Sequence, residues 1–447
     1  MNQTSTFKWF GLQRPGNLLA LTLAGIAFCA RGSQAAEWPQ WRGPHFNGST
    51  EESNLPTQWS DTENLRWKTE LPGPSGATPV VWGDRVFLNT PDNEKNLRLL
   101  CLSRIDGKIL WDHVVAVGDR SSGRNNMASP SPVTDGKRVI TLFGTGDMVA
   151  YDMDGKELWS RNLGKDYGRF ALMWLYGSSP LLFNGKLYVQ VLQRDTPGDY
   201  PHAIDGNPTR DSYLLCLDPE TGKDLWRQIR PTDASKESKE SYATPIPFQG
   251  PQRTEIIVLG GDYTTGHDPE TGKELWRAGG LNPRKDDWWR IVPSPVVGKG
   301  LVYSSAPKRD PVFAIQPGGK GDVTASHIKW QFNEFPTDWS TPLYYKDSLF
   351  ILDGDRKVLT KLNPATGEKV WQGELPTREI IWSSPLGADG KIYCVTERGT
   401  VLIMGAGDKF EVINTIKMGG EPVRSSVIAA HGNLFIRTGH HLYCVGK

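Results

Sequence analysis

Cysteine is scarce in this chain: there are five in 447 residues and no two are adjacent, which excludes a disulfide framework as the source of stability. Charge of one sign is lacking too. With 51 Lys+Arg against 50 Asp+Glu, there is no concentrated basic footprint for phosphates, so nucleic acid is excluded as a partner. Beyond residue 36 no apolar run approaches the roughly 20 residues that cross a bilayer, so no transmembrane span is expected there. Several catalytic signatures are also missing: Gly-x-Ser-x-Gly, a phosphate-binding loop, His-Glu-x-x-His and the haem-attaching Cys-x-x-Cys-His. What abounds is turn chemistry, with 48 Gly and 32 Pro against the roughly 12% combined share of ordinary soluble proteins, and Trp, with 17. Many turns imply many short strands.

The first 36 residues read as an address. Lys8 and Arg14 precede the uncharged stretch Leu18–Ala30, and small residues close the segment at Ala35 and Ala36. A basic start, a short apolar centre and a small-residue end describe a cleaved secretory signal. The expectation is a mature protein at 37–447 that is periplasmic or secreted, in the cell envelope.

That mature stretch repeats one unit about eight times. Half of the unit is a hairpin: Asp218-Pro-Glu-Thr-Gly-Lys-Asp-Leu-Trp226, Asp268-Pro-Glu-Thr-Gly-Lys-Glu-Leu-Trp276 and Asn363-Pro-Ala-Thr-Gly-Glu-Lys-Val-Trp371, with shorter forms ending at Trp111 and Trp159. Asp or Asn opens the turn, Pro presets φ and Gly takes the left-handed position. The other half begins with Ser/Thr-Pro and continues as strand, Gly/Asp turn and strand. It starts at Thr78, Ser131, Ser179, Thr244, Ser294, Thr341 and Ser384, and an eighth copy, Ser426-Val427, lacks the Pro. The residues after these Ser/Thr lie 53, 48, 65, 50, 47, 43 and 42 apart.

Four short strands per unit, A to D, at this period predict an all-β fold, an eight-bladed β-propeller forming a single domain over 37–447. Closing-strand Trp residues are Trp67, Trp111, Trp159, Trp226, Trp276, Trp330 and Trp371, with Val412 expected in their place in the seventh unit. Trp67 ends a D strand before any A strand has occurred, and the chain stops after a last A–B–C set. Pairing the two ends is therefore expected to complete blade eight.

These Thr-Gly-Lys-x-Leu-Trp and Ser-Pro-x-x-x-x-Gly-Lys-x-Tyr units resemble the repeats of the pyrroloquinoline-quinone (PQQ)-like propeller superfamily, which includes quinoprotein dehydrogenases and BamB-type envelope assembly proteins. The opening Glu37-Trp-Pro-Gln-Trp-Arg-Gly-Pro-His-Phe-Asn-Gly48 resembles the start of many exported members. The resemblance implies the fold across the mature chain. It leaves two functions open: a binding or scaffold module of the envelope, or a PQQ- and calcium-dependent dehydrogenase oxidising an alcohol or sugar. Those dehydrogenases typically place a disulfide of adjacent cysteines against the quinone, which Cys101, Cys216, Cys394 and Cys444 cannot form. These four sit in apolar strands as expected inert thiols. No calcium ligands carry over, so neither PQQ nor calcium is assured as a cofactor.

A–B and C–D turns are short, whereas most long connections are D–A or B–C, such as Ile229–Ala243 and Val191–Ser212. Long loops gathered on one face of a rigid scaffold are the expected site. Three positions before each Pro (or Val427) stand Gly76, Ser129, Gly177, Tyr242, Val292, Trp339, Trp382 and Arg424, which should ring the channel mouth. Adding their neighbours, the candidate ligand-binding residues are Arg124, Asn125, Trp174, Tyr176, Tyr242, Trp289, Arg290, Trp339, Trp382 and Arg424. An aromatic and Arg rim suits a protein, peptide or carbohydrate partner, or a flat conjugated ligand, through stacking and cation–π contact. No catalytic or metal-ligating residue is assigned, and a monomer is expected.

Overall fold

The structure, a computed structural model, describes residues 36–123, 125–194, 210–308 and 310–447. The signal-like segment, Arg124 and most of the 191–212 insertion lie outside these residues.

Eight four-stranded antiparallel blades form a ring, a β-propeller. Blade 1 runs Val80–Trp82, Arg85–Pro91, Asn96–Ser103 and Ile109–Val117 from the axis outward. Blade 8 is assembled from both ends, with Leu65–Glu70 pairing antiparallel to His441–Gly446 beside Asn433–Arg437 and Ile428–Ala430. Blade 4 gains a short parallel fifth strand, Gly321–Asp322, from the C–D connection of blade 5. The middle strands are buried on both faces, as in Tyr213–Leu217, where all five residues are buried. Outer D strands alternate, as in Lys369–Glu374, where Trp371 is the one buried residue.

Two belts of hydrogen bonds tie blade to blade, and the repeat motifs account for both. The inner belt uses the Ser/Thr that opens each unit. Its backbone N–H donates to the hydroxyl of the corresponding residue in the next blade: Thr78 to Ser131, Ser131 to Ser179, Ser179 to Thr244, Thr244 to Ser294, Ser294 to Thr341, Thr341 to Ser384, Ser384 to Ser426, and Ser426 back to Thr78. The eight distances lie between 2.9 and 3.2 Å, and the belt closes on itself. Ser426 keeps its place without a following Pro, which identifies the hydroxyl, not the ring of proline, as the element the belt requires.

The outer belt uses the closing Trp. Each of six indole N–H groups donates to a carbonyl of the adjacent blade's C–D hairpin: Trp67 to Arg104, Trp111 to Met153, Trp159 to Pro219, Trp226 to Pro269, Trp330 to Pro364 and Trp371 to Gly407. Five of these indoles, all but Trp371, also lie over a glycine of that hairpin. Gly222 and Gly272 have φ of 67° and 72°, and a Cβ at either would sit 2.5 Å from Trp159 or Trp226. Glycine there thus supplies both the left-handed turn and the space for the neighbour's indole. Trp276 departs from the pattern: fully buried, it donates to Glu255 of its own blade, because blade 5 carries the inserted C–D connection in place of the hairpin.

In blade 7 the position expected for Val412 is corrected to Asn414. Every C–D pair carries a register shift just before its Trp, and in blade 7 this shift pairs Val412 with Met404 and leaves Asn414, opposite Ile403, in register with the Trp residues. The Asn414 amide donates to the Thr57 carbonyl, so an amide N–H replaces the indole N–H.

The segment that precedes blade 8's D strand winds along the inside of the ring. Trp38 and Val81 exchange backbone hydrogen bonds on blade 1, Pro39 accepts from Thr134 on blade 2, and the Gln40 side chain accepts from Leu182 on blade 3. Phe46 packs against Phe183 of blade 3 and against the blade 4–5 core. The Arg42 guanidinium donates to the carbonyls of Pro342 on blade 6, Pro385 on blade 7 and Asn47. Glu52 then accepts from His431 and Gly432 in the A–B turn of blade 8. Innermost strands expose an unpaired edge to the channel, and this strap satisfies it. Its contacts with A–B turns place it at the short-turn face.

Candidate functional site

Above the strap, on the long-loop face, a cavity of about 510 Å³ occupies the axis. All eight residues three positions before the A strands line it: Gly76, Ser129, Gly177, Tyr242, Val292, Trp339, Trp382 and Arg424. Asn125, Trp174 and Arg290 join them. Seven of the eight inner-belt hydroxyl residues line its lower wall, and Trp41 of the strap contributes to the floor, its indole N–H donating to the Ser294 hydroxyl at 3.2 Å. The channel is thus a cup, closed by the chain's own leading segment.

The wall is held from behind. Glu240, fully buried, accepts from Arg194, from the Met173 amide at 3.0 Å and from the Tyr242 hydroxyl at 2.7 Å. Tyr242 in turn accepts the Trp174 amide at 3.1 Å, and Glu237 accepts the Trp174 indole N–H at 2.8 Å. Burial pushes the Glu240 carboxyl up to about 7, against the opposing pull of Arg194 and its hydrogen bonds. Burial likewise raises the Tyr242 phenol well above its ordinary range. Arg290 lies over the Trp339 ring at 5.0 Å and between Glu237 and Asp338, at 3.7 and 3.8 Å. No carboxylate and no thiol stand among the described residues lining the cup.

Two expected site residues are placed elsewhere. Tyr176 is 1% exposed, packs on Phe170 with ring centroids 4.4 Å apart and donates its hydroxyl to the Gln190 carbonyl. Trp289 is buried, donating to the Leu281 carbonyl, with Arg284 and Lys308 over its ring. Each lies one position away from a cup residue in the chain and is turned into the wall's support instead. Arg124 lies outside the described residues. Conversely, Trp41 and the belt hydroxyls were not among the expected site residues. The hydroxyls were visible as a repeat, but their three-dimensional convergence needs the ring.

The four cysteines are free and buried, and burial pushes each thiol up to about 12, as expected of inert core thiols. Among the described residues no group of three or more His, Cys, Asp or Glu is placed to hold a metal ion, and no helix is long and apolar enough to cross a membrane.

A family model described as outer membrane protein assembly factor BamB matches residues 49–189 and 210–445. No curated protein matches the chain. Among solved structures, BamB from Moraxella catarrhalis aligns with a TM-score of 0.58 at 14% identity, over 87% of this chain and 99% of that one. A europium-containing methanol dehydrogenase aligns at 0.68 and 11%, over 92% and 98%. The quinohemoprotein alcohol dehydrogenase of Comamonas testosteroni aligns at 0.57 and 11%, over 92% and 81%. At such identities these likenesses show the propeller fold alone. With its repeats matched from Ser49 to Val445, the chain belongs to the BamB family of PQQ-like repeat propellers.

Proposed function

We propose that this protein is an exported binding propeller of the cell envelope, which receives a ligand or a partner's segment in the cup on its long-loop face. The chemistry of the cup wall carries the proposal: indoles, guanidinium groups and hydroxyls converge, while carboxylates and thiols are absent from the described lining. That set can stack on and hydrogen-bond to a guest, but it supplies no pair of titratable groups for acid–base chemistry and no nucleophile with a base beside it. Export is supported by the signal-like first 36 residues, and an envelope role by the family's description as an outer-membrane assembly factor.

The alternative, a PQQ- and calcium-dependent dehydrogenase, finds less support in these residues. Calcium takes six to eight oxygen ligands with carboxylates among them. Four carboxylates beside the cup, Glu237, Glu240, Asp338 and Asp355, accept from Trp174, Arg194, the Lys308 amide and the Trp339 indole in or behind its wall. Asn125 is the one side-chain amide among the described residues of the lining. Among the described residues the donor set does not fit a calcium ion.

Titrating the purified protein with PQQ and Ca²⁺, with absorbance and dye reduction followed over a panel of alcohols and sugars, tests the assignment. The expected outcome is no turnover and no calcium-dependent quinone binding. Stoichiometric binding with dye reduction would establish the dehydrogenase instead.

A further inference from the structure

The cup's hydrogen-bonding capacity narrows the class of guest. A hydroxyl has one proton to donate and two lone pairs. In the inner belt each hydroxyl oxygen accepts one backbone N–H, and among the described residues none of the eight donates to a protein acceptor. Each therefore retains a donor, and all but Ser294, which also accepts from Trp41, retain a lone pair. Seven such residues converge on one cavity. A ring of groups that both donate and accept is complementary to a ring of groups that do the same, namely the hydroxyls of a saccharide. A flat quinone carboxylate offers almost only acceptors and would leave the lone pairs unmatched.

The walls add two further features. Trp174, 36% exposed, Trp382, and Trp339 with Arg290 over its ring line the cavity with indole. Such faces pack on the apolar face of a pyranose. Arg424 and Arg290 line the same space, Arg290 with Glu237 and Asp338 beside it at 3.7 and 3.8 Å, and the described lining itself holds no carboxylate, so the charged side chains a guest meets there are guanidinium groups. Guanidinium groups favour carboxylate and sulfate oxygens, with which they form strong, directional hydrogen bonds. The 510 Å³ volume lies within the ordinary range for small-molecule sites, about 300–1,000 Å³.

We infer that the cup binds an acidic saccharide, a short oligosaccharide bearing carboxylate or sulfate groups, with its sugar hydroxyls on the Ser/Thr belt, a ring face on indole and its acid group at Arg424 and Arg290. This rests on the cup being a binding site, as proposed above. Trp41, brought in by the strap, would then be a specificity-determining floor residue for the innermost sugar.

The test is tryptophan fluorescence and calorimetric titration of the intact protein with trigalacturonate, a sulfated galactose disaccharide and their neutral counterparts. One acidic guest is expected per chain, with the neutral counterpart about tenfold weaker or more, as expected for loss of a charge-assisted contact. The carboxylated and sulfated arms identify which acid group is preferred. Arg424→Gln should bring the acidic guest down to the affinity of its neutral counterpart, while Trp174→Ala, at the exposed rim, should weaken both by about the same factor, with circular dichroism of each variant as the folding control. Equal affinity for acidic and neutral sugars, or no acid-dependent binding across the panel, overturns the inference. If sugars fail while a partner protein cross-links to the mouth and Trp174→Ala abolishes it, the saccharide inference falls and the binding role stands. If PQQ with calcium turns over, the binding role itself falls.

Discussion

The two faces of the ring solve the same packing problem in different ways. At the short-turn face, contacts are bulky and redundant: indoles cover glycines, the strap fills the channel edge, and Arg42 bridges blades 6 and 7 through carbonyls. Toward the long-loop face, the axial belt joins adjacent blades through small hydroxyls that keep hydrogen-bonding capacity in reserve, and the buried Arg437 guanidinium ties blade 8 to the carbonyls of Gly73, Ala77 and Asn89. Packing the indoles, the strap and Arg42 at the short-turn face leaves the long-loop face to carry loops that differ from blade to blade, and that is where the cup lies.

Removing Arg42 should break this division most severely. Its guanidinium is buried, burial lowers its pKa to about 9, and it holds three carbonyls. Arg42→Ala would leave those carbonyls without their donor and a cavity beside them, at a cost of about 3–5 kcal/mol. Equilibrium urea unfolding measures this. A loss below about 1 kcal/mol, within the range of an ordinary surface change, would mean that the strap does not fasten the ring.

The faces should also respond oppositely to pH. Glu240, behind the cup, has its carboxyl raised from 4.5 to about 7 by burial. Its contribution to stability is full below 4.5 and is lost as pH rises toward 7. His267, near the short-turn face, is held neutral between Thr265 and the Gly272 carbonyl, and burial lowers its pKa from 6.5 to about 4. Its contribution is full above 6.5 and is lost as pH falls toward 4. Each amounts to about 3 kcal/mol, and in the native protein the two slopes oppose each other. Relative to it, Glu240→Gln should gain stability as pH rises from 4.5 to 7, and His267→Gln should gain as pH falls from 6.5 to 4. Flat difference curves in urea unfolding would contradict both assignments.

Much of this was legible in the sequence because it is periodic. Turn residues at a fixed spacing gave the blades, an unpaired D strand at one end and a missing one at the other gave the closure, and counting three residues back from each Pro found the cup lining. What was not legible has no period. The Arg42 contacts reach residues 300 and 343 positions away, with nothing in the local sequence to mark them. Tyr176 and Trp289 stand beside cup residues in irregular loops, where no period says which of two neighbouring side chains faces the cup and which faces the wall. The bulge before each closing Trp moved the seventh-blade position from Val412 to Asn414.

The short-turn belt can be dissected by comparing two glycines. Gly272 has φ of 72° and lies under Trp226, whereas Gly185 has φ of 70° with no heavy atom near the position of a Cβ. Gly185→Ala should cost about 1 kcal/mol, the backbone penalty alone. Gly272→Ala adds displacement of the indole and should cost about 2–3 kcal/mol. Thermal and urea unfolding of the pair separate the two contributions, and equal losses would show that the indole is not held against the hairpin.

The smallest expected effect is at the inner belt. Ser179→Ala removes the hydroxyl that accepts from Ser131 but keeps the backbone N–H that donates to Thr244. One buried amide loses its partner, a cost of about 1 kcal/mol, toward the low end for an unmatched buried group because the site faces the cup and water can replace the hydroxyl. That replacement distinguishes the faces: a solvated belt tolerates the loss of a member, whereas a dry indole contact does not. Ser179→Ala should therefore unfold nearly as the native protein does yet bind its guest less tightly, since one of the cup's reserve donors has gone. A loss of stability as large as that of Gly272→Ala, with binding unchanged, would place the belt's role in fastening the ring instead.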